Sequence, residues 1–404
     1  MLVTRTQQVA LKGDHFSYWC HTAKNVYNKA NYLVRQEFFG SGTYLSHYDV
    51  YHLIKHDDEY RELPAQTANE VLRLLHQAWR SFFASIRSYG ADPSRFLNRP
   101  RPPHYLDKGG ETVLHFPHNH LSHRERSILL PKKVGRYRIR HRLPDGADVR
   151  MVRVVPLGGR YVAEIVFQRE LPDPASTHSG PILGIDVGLE NIITVADSNS
   201  SAPWIVKGGA LKSANQYYNK ELARLRSLCE RAGTRTSKRI KRLTAKRNRI
   251  VKNALHHTSR RVVAYAKRVG AQAIVIGRNE CWKQGIRLGK RTNQSFVQIP
   301  YHVLIGQIRY KAEELGIEVV LTEERYTSRC SFLDGEEMRP HVEYAGRRVR
   351  RGLFISKKGT VINADVNAAY NIIRKVFPHA CAEGIEGASL HPVCRKMFSA
   401  CECT

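Results

Sequence analysis

Two carboxylates, Asp186 and Asp365, stand in the segments of this sequence best suited to chemistry. Asp186 closes the apolar run Gly184-Ile-Asp-Val-Gly188, where an expected strand delivers the acid at its end. Gly188 then turns the chain into a second β-rich stretch reaching Ser198. Asp365 lies in Ile362-Asn-Ala-Asp-Val-Asn-Ala-Ala-Tyr-Asn-Ile372, at the mouth of an expected helix rich in Ala and Asn. Acids brought together from distant strand and helix ends can hold Mg²⁺ around a phosphodiester: hard oxygen ligands suit the ion, and the ion polarises the phosphate. A helix cap or a turn residue is the plain alternative for either Asp, and at Asp365 capping and metal binding are compatible.

The charge of the chain agrees with a phosphate-bearing partner. It carries 65 Lys+Arg against 36 Asp+Glu, a formal net charge of +29, with a pI of about 10.0. A surface this basic repels itself unless a polyanion neutralises it. With 404 residues and 42% apolar residues there is material for two or three ordinary cores. No run of about 18 uncharged apolar residues occurs, so no membrane span is expected. The start Met1-Leu-Val-Thr-Arg lacks a secretory apolar region. The eight cysteines are scattered without a disulfide framework. The expected location is the cytoplasm, associated with the nucleoid when DNA is bound.

Elements must position these acids, and the pattern changes several times along the chain. From His15 to Gly90 apolar residues recur at helical spacing, as at Val71, Leu74, Leu75, Ala78, Trp79, Phe82 and Ile86. Phe96 to Gly110 reads as a basic Pro/Gly linker, and Thr112 to Leu171 as short alternating strands with turn signals at Pro144-Asp-Gly146 and Gly158-Gly159, the pattern of a small β-barrel. After a second linker at Pro172-Asp-Pro174, a further domain starts near Pro181. Lys220 to Arg268 then holds 17 Lys and Arg but only two acids, Glu221 and Glu230. A merely solvated helical hairpin would mix signs, so this one is expected to meet phosphate. Its candidate contacts are Arg235, Lys238, Arg239, Lys241, Arg242, Lys246, Arg247, Arg249 and Lys252. Ala271–Gly277 and Gly316–Thr322 read as buried strands flanking a helix at Leu304–Leu315. Strand, strand, helical insertion, strand, helix, strand, helix is the order of an RNase H-like α/β domain, an order that other α/β folds also share.

Gly184-Ile-Asp-Val-Gly188, Tyr326-Thr-Ser328 and Asn363-Ala-Asp-Val-Asn-Ala-Ala369 resemble the RuvC-I, post-RuvC-II and RuvC-III blocks of the transposon-encoded TnpB proteins, relatives of type V CRISPR effectors. The Leu63-Pro-Ala-Gln66 helix entry and the Arg/Pro-rich linker extend the resemblance to nearly the whole chain before Phe377. It implies an α/β plus β-barrel fold: residues 1–14 as the first strand of a wedge barrel, 15–110 as a helical recognition domain and 111–174 as the rest of the barrel. Residues 181–325 would form an RNase H-like RuvC domain, a mixed sheet flanked by helices, with a basic helical insertion at 215–268. A target-nucleic-acid-binding loop at 326–360, the RuvC-III helix at 361–377 and a disordered tail at 378–404 would follow.

The implied activity is RNA-guided, Mg²⁺-dependent cleavage of double-stranded DNA beside a short protein-read motif, with Mn²⁺ as an alternative ion. The partners would be a guide RNA from the mobile element and target DNA. A CRISPR effector of the same fold and a nuclease-inactive RNA-guided repressor are the alternatives. Asp186 and Asp365 would share the metal with a third acid. The family commonly ends its RuvC-II strand in Glu, where this chain has Gly277, so the acid is sought elsewhere. Glu324 fits best, through the Glu-x-x-Thr-Ser spacing of relatives with a rearranged site; Glu323 and Glu280 stand behind it. Adjacent strand residues face opposite ways, so only one of Glu323 and Glu324 should face Asp186. Many relatives also carry Cys-x-x-Cys zinc knuckles before RuvC-III, whereas this interval offers Cys330 and His341 alone. No zinc is expected, and Gly346–Phe354 should close the loop as a basic hairpin. The tail pair Cys401-Glu-Cys403, with Cys394 and His391, is too sparse to argue a metal site.

Overall fold

The alternating run at the start of the chain forms strand β1 (Leu2–Leu11), whose partner in the sheet comes much later in sequence. In the computed structural model, residues 1–171, 180–199, 201–278, 298–350, 352–381 and 390–398 are described, and the chain divides into two units, Met1–Glu170 and Leu171–Thr404. Among the described residues no helix is long and apolar enough to cross a membrane.

In the first unit, helices α1 (Ser17–Gly40), α2 (His47–Ile54), α3 (Asp58–Glu62) and α4 (Ala65–Ala91) follow β1. The long helices α1 and α4 pack through Ala23, Val26, Ala30, Val34, Val71, Leu75 and Trp79, the apolar stripe that the spacing predicts. The Pro-rich linker beyond α4 is docked along α1. Asn31 Nδ2 and Arg35 Nη1 both donate to the Pro103 carbonyl, and Lys24 Nζ donates to Lys108 O.

Strands β2 (Leu114–Pro117), β3 (Ser122–Arg124), β4 (Ser127–Leu129), β5 (Arg138–Arg140), β6 (Asp148–Pro156) and β7 (Tyr161–Glu170) complete the unit. They pair as a four-stranded sheet, β1-β7-β6-β2, and a three-stranded sheet, β3-β4-β5, both antiparallel. Beyond the end of β5 the sheets are joined through a side chain: Gln7 Nε2 donates to Arg142 O and Arg142 N donates to Gln7 Oε1, each at 2.9 Å.

The second unit contains β8 (Ile182–Asp186), β9 (Asn191–Asp197), β10 (Trp204–Lys207), α5 (Gly209–Arg231), α6 (Lys238–Arg268), β11 (Ala273–Gly277), α7 (Tyr301–Glu313) and β12 (Glu318–Thr322). It continues through β13 (Arg347–Arg350), β14 (Leu353–Ile355), β15 (Val361–Ile362), α8 (Ala364–Val376) and β16 (Val393–Arg395). Its six-stranded sheet has the order β12-β11-β8-β9-β10-β16. Strand β11 runs parallel to both β12 and β8, whereas β9 is antiparallel to β8 and β10.

Both faces of this sheet are covered, which is why its strands read as continuous apolar runs. Leu183, Ile185, Ile274 and Ile276 face the core built with α6 and α7, while Ile182 and Val275 face α8. The period of two then puts Asp186 and Gly277 on the α8 side, at the carboxyl ends of adjacent parallel strands. Gly184 lets α8 come close: a Cβ there would lie 2.2 Å from Ala369 O and 2.6 Å from Ile373 Cγ1.

Two expectations change. The basic insertion expected at 215–268 is an α5–α6 hairpin that begins at Gly209, and only the first half of α6 is free of the core. Val251, Leu255, Val262, Val263 and Ala266 pack on the sheet, because apolar residues there return at helical spacing beneath the charges. The tail expected to be disordered includes an ordered piece. Strand β16 pairs in parallel with β10, Met397 is buried, and Arg261 Nη1 donates to Lys396 O at 2.6 Å. The rest of the expected tail at 382–389 and 399–404 lies outside the described residues.

Candidate active site

Asp186 ends β8 opposite Thr194 of β9. Its carboxyl is held well above the usual carboxylate range, first by burial and then by the charges of Glu324 and Asp365, with Arg348 opposing the rise. The charges of both other acids therefore reach Asp186.

Glu324 follows β12 by two residues. Thr322 of β12 pairs with Gly277 of β11, which brings the chain after β12 over the end of β11. A Cβ at position 277 would lie 2.5 Å from Glu324 Cγ, 2.7 Å from its Oε1 and 2.7 Å from Ile372 Cδ1. The glycine thus vacates the space that the Glu324 side chain fills. Burial pushes the Glu324 carboxyl up to about 7. Glu323 points away: it is exposed and pairs with Arg325 at 3.7 Å. Glu280, like Cys281, Cys401 and Cys403, lies outside the described residues.

Asp365 sits in the first turn of α8 and does not cap it. Asn363 does, its Oδ1 accepting from Asp365 N at 3.0 Å and Val366 N at 3.2 Å. That leaves the Asp365 carboxylate to side chains. Asn191 Nδ2 donates to its Oδ2 at 2.7 Å, and Arg348 Nη2 lies 3.4 Å from its Oδ1.

The turn after Glu324 is locked by α8. Thr327 N and Oγ1 donate to Glu324 O at 3.1 and 2.8 Å. Asn371 Nδ2 donates to Thr327 O and Cys330 O, both at 2.8 Å, and Asn367 Nδ2 donates to Cys330 O at 2.9 Å. Both asparagines are fully buried. Beyond the turn, buried Glu336 accepts from Ser331 N at 2.7 Å and Ala345 N at 2.8 Å, gathering the loop around one carboxylate. Cys330 Sγ donates to Glu337 O at 3.3 Å, and His341 Nε2 lies 2.7 Å from the same carbonyl. Of the stretch expected as a hairpin, Arg347–Arg350 and Leu353–Ile355 pair antiparallel as β13 and β14, and Arg351 lies outside the described residues.

Asn191, Asn367, Asn371, Arg348 and Tyr301 were not singled out by the sequence reading. Tyr301 donates to Gly188 O at 2.7 Å, pinning the turn beside Asp186. The signal for the asparagines was present: Asn363, Asn367 and Asn371 recur every fourth residue along one helix. Of the basic candidates, Arg235, Lys238, Arg239, Lys241, Arg242, Lys246, Arg249 and Lys252 are exposed on or just before α6. Arg247 differs, spending its guanidinium on Asn215 Oδ1, Asn248 Oδ1 and Gln298 O.

The donor set of Asp186, Glu324 and Asp365 is all oxygen and anionic, which suits Mg²⁺ or Mn²⁺ rather than zinc. Among the described residues no three His, Cys, Asp or Glu side chains already stand in a ligating array. The observation in favour of a fit is the glycine cradle at 277, which admits the third carboxylate at the end of the strand beside Asp186.

Comparison with known proteins bears on the same segments. Residues 166–282 match the OrfB_IS605 family, described as "Probable transposase", and residues 301–372 match the "Cas12f1-like, TNB domain" family. The chain is 23% identical to "TnpB-like protein ORF457" of Acidianus two-tailed virus, over 87% of this chain and 80% of that protein. It is 29% identical to "CRISPR-associated endodeoxyribonuclease Cas12f1" of Sulfoacidibacillus thermotolerans, over 51% of this chain and 48% of that one. Among solved structures it is similar to a "CRISPR-Cas12f Ternary Complex" with a TM-score of 0.38 at 14% identity, covering 88% of this chain and 80% of the other. Matched in the strand that bears Asp186 and in the helix that bears Asp365, and similar over most of its length to a TnpB-like protein, the chain resembles the TnpB proteins and their type V CRISPR relatives.

Proposed function

We propose that this protein is an RNA-guided DNA endonuclease of a mobile element, cutting double-stranded DNA with a divalent metal held by Asp186, Glu324 and Asp365. The observation that carries the reading is Glu324 filling the space above Gly277. A chain with glycine at that strand end reads at first as inactive, yet a half-buried acid reaches the same point from beyond the neighbouring strand. In this reading the second unit is a RuvC-type, RNase H-like domain and the first is a wedge barrel with a helical recognition insertion. The sheet order β12-β11-β8-β9-β10 and the position of four helices between β1 and β2 support that layout.

Bound Mg²⁺ would polarise the scissile phosphate and lower the pKa of a water molecule. The protein's own part is to hold the acids. The parallel β8 and β11 bring Asp186 and the Gly277 cradle side by side, and Asn191 orients Asp365. Asn367 and Asn371 fix the turn that carries Glu324. The exposed cations of α6 supply phosphate contacts for RNA or heteroduplex, and base pairing supplies sequence.

Two measurements test this. RNA that copurifies with the protein should sequence as one discrete structured species. Asp186→Asn, Glu324→Gln and Asp365→Asn should each abolish cleavage while guide and target binding stay near the parent's, and Glu323→Gln should still cut. Heterogeneous RNA, or parental cutting by Glu324→Gln, would refute the reading.

A further inference from the structure

The Asp365 carboxylate is engaged on both oxygens, and its two partners differ in kind. Asn191 is neutral, lies at 2.7 Å and belongs to the first residue of β9, held in the sheet. Arg348 is cationic, lies at 3.4 Å and stands on the β13–β14 hairpin with 42% of its side chain exposed. A cavity of about 770 Å³, whose lining includes Ser328, Arg329, Glu343, Tyr344, Arg348 and Phe354, adjoins it. The guanidinium therefore has space to leave Asp365 without disturbing the packed core.

We propose that Arg348 is a place-holding cation: it pairs with Asp365 Oδ1 while the acids lack a divalent ion, and it must release that oxygen before Asp365 can ligate one. The proposal rests on the reading of Asp186, Glu324 and Asp365 as metal ligands, and on nothing about RNA or DNA. The charges of Glu324 and Asp365 bear on Asp186, and Arg348, paired with Asp365, acts on Asp186 in the opposite sense, so it offsets part of that repulsion. A guanidinium and a metal ion cannot share the same lone pairs, and their like charges oppose joint occupancy. Asn191 can stay in place, because a neutral amide on Oδ2 orients the ligand without competing for charge. Arg348 is thus a competitor of the metal, and its removal should tighten metal binding even where it impairs cleavage.

The test is calorimetric titration of Mn²⁺ into the full-length chain, freed of nucleic acid. Losing a half-exposed ion pair of this kind should tighten binding about two- to fivefold in Arg348→Gln and Arg348→Ala. Arg348→Lys, which keeps the charge, should stay within about twofold of the parent on the same scale. Far-UV circular dichroism checks that the exposed hairpin position tolerates the changes, and two different neutral side chains guard against one that misfolds. In an Asp365→Asn background, Arg348→Gln should make no difference. Equal or weaker Mn²⁺ binding in both neutral variants overturns the proposal, as does the same tightening with Asp365 replaced, or no binding in parent and variants alike. If Asp365→Asn leaves the parent's affinity unchanged, the ligand assignment itself has failed. If it weakens binding while Arg348→Gln does not tighten it, only the place-holding role has failed.

Discussion

Gly277→Ala is the substitution for which the geometry makes the most exacting forecast. The added methyl would meet Glu324 Cγ at 2.5 Å, Glu324 Oε1 at 2.7 Å and Ile372 Cδ1 at 2.7 Å, all inside contact distance. Overpacking of this kind costs about 1–3 kcal/mol, relieved in part by pushing the Glu324 side chain off the strand end. In a domain the size of the second unit, each kcal/mol lowers the melting temperature by about 2–4 °C. Two of the three close atoms belong to Glu324, so the cost should shrink when that side chain is trimmed. Urea unfolding of the parent, Gly277→Ala, Glu324→Ala and the double variant forms a closed cycle, with an expected coupling of at least about 1 kcal/mol. Cleavage by Gly277→Ala should fall further than its stability does, since the acid is displaced even where the chain folds. A methyl that costs the same in both backgrounds, or less than about 0.5 kcal/mol in the parent, would mean that the glycine is not there to admit Glu324.

Two further outcomes follow from the same site. Asn371→Ala takes the side-chain donor from the buried Thr327 carbonyl and leaves the Cys330 carbonyl to Asn367 alone, and should cost about 1–3 kcal/mol in urea unfolding, with cleavage lost and RNA binding kept; a cost below about 0.5 kcal/mol would count against the clamp. For pH dependence, Glu324 is raised from 4.5 to about 7, so the folded chain holds its proton more tightly than the unfolded chain. The stabilisation from the neutral form is complete below pH 4.5 and is lost as pH rises through about 7, at most roughly 3 kcal/mol in metal-free protein. Glu324→Gln should flatten most of that decline in unfolding measured between pH 5 and 8, and an unchanged slope would refute it.

Much of this site was legible in sequence because its parts are local. A strand ending in Gly-Ile-Asp-Val-Gly and a helix opening Asn-Ala-Asp announce their acids by position alone. Glu324 needed one more inference, that β12 lies beside β11, which the strand–helix–strand order supplies. Arg348 and Asn191 were not legible, since each meets Asp365 through tertiary packing that no spacing encodes. The basic run on α6 misled in part, because charge counts do not register the apolar stripe beneath them, and Arg247 is consumed by its own hairpin. The ordered end of the chain was missed for a related reason: three paired residues, Val393–Arg395, are too few to raise a periodic signal, and it is their place beside β10 that fixes them.

The asparagines of α8 divide the loop after β12 into a root and a lever. From Thr327 to Phe332 the backbone is bolted to the same helix that carries Asp365, and Arg374 extends the anchorage by donating to the carbonyls of Phe332 and Glu336. The root therefore moves only if the helix moves, and with it the acid. Among the described residues the hairpin of β13 and β14 takes no asparagine side chain from α8, but its second strand is tied in otherwise: Phe354 is fully buried, β14 pairs with β15, and Ala364 N donates to Gly352 O at 3.4 Å. The part left without a core face is β13, exposed along its whole length, so Arg348 can shift against Asp365 while the helix holds Glu324 and Asp365 at their spacing.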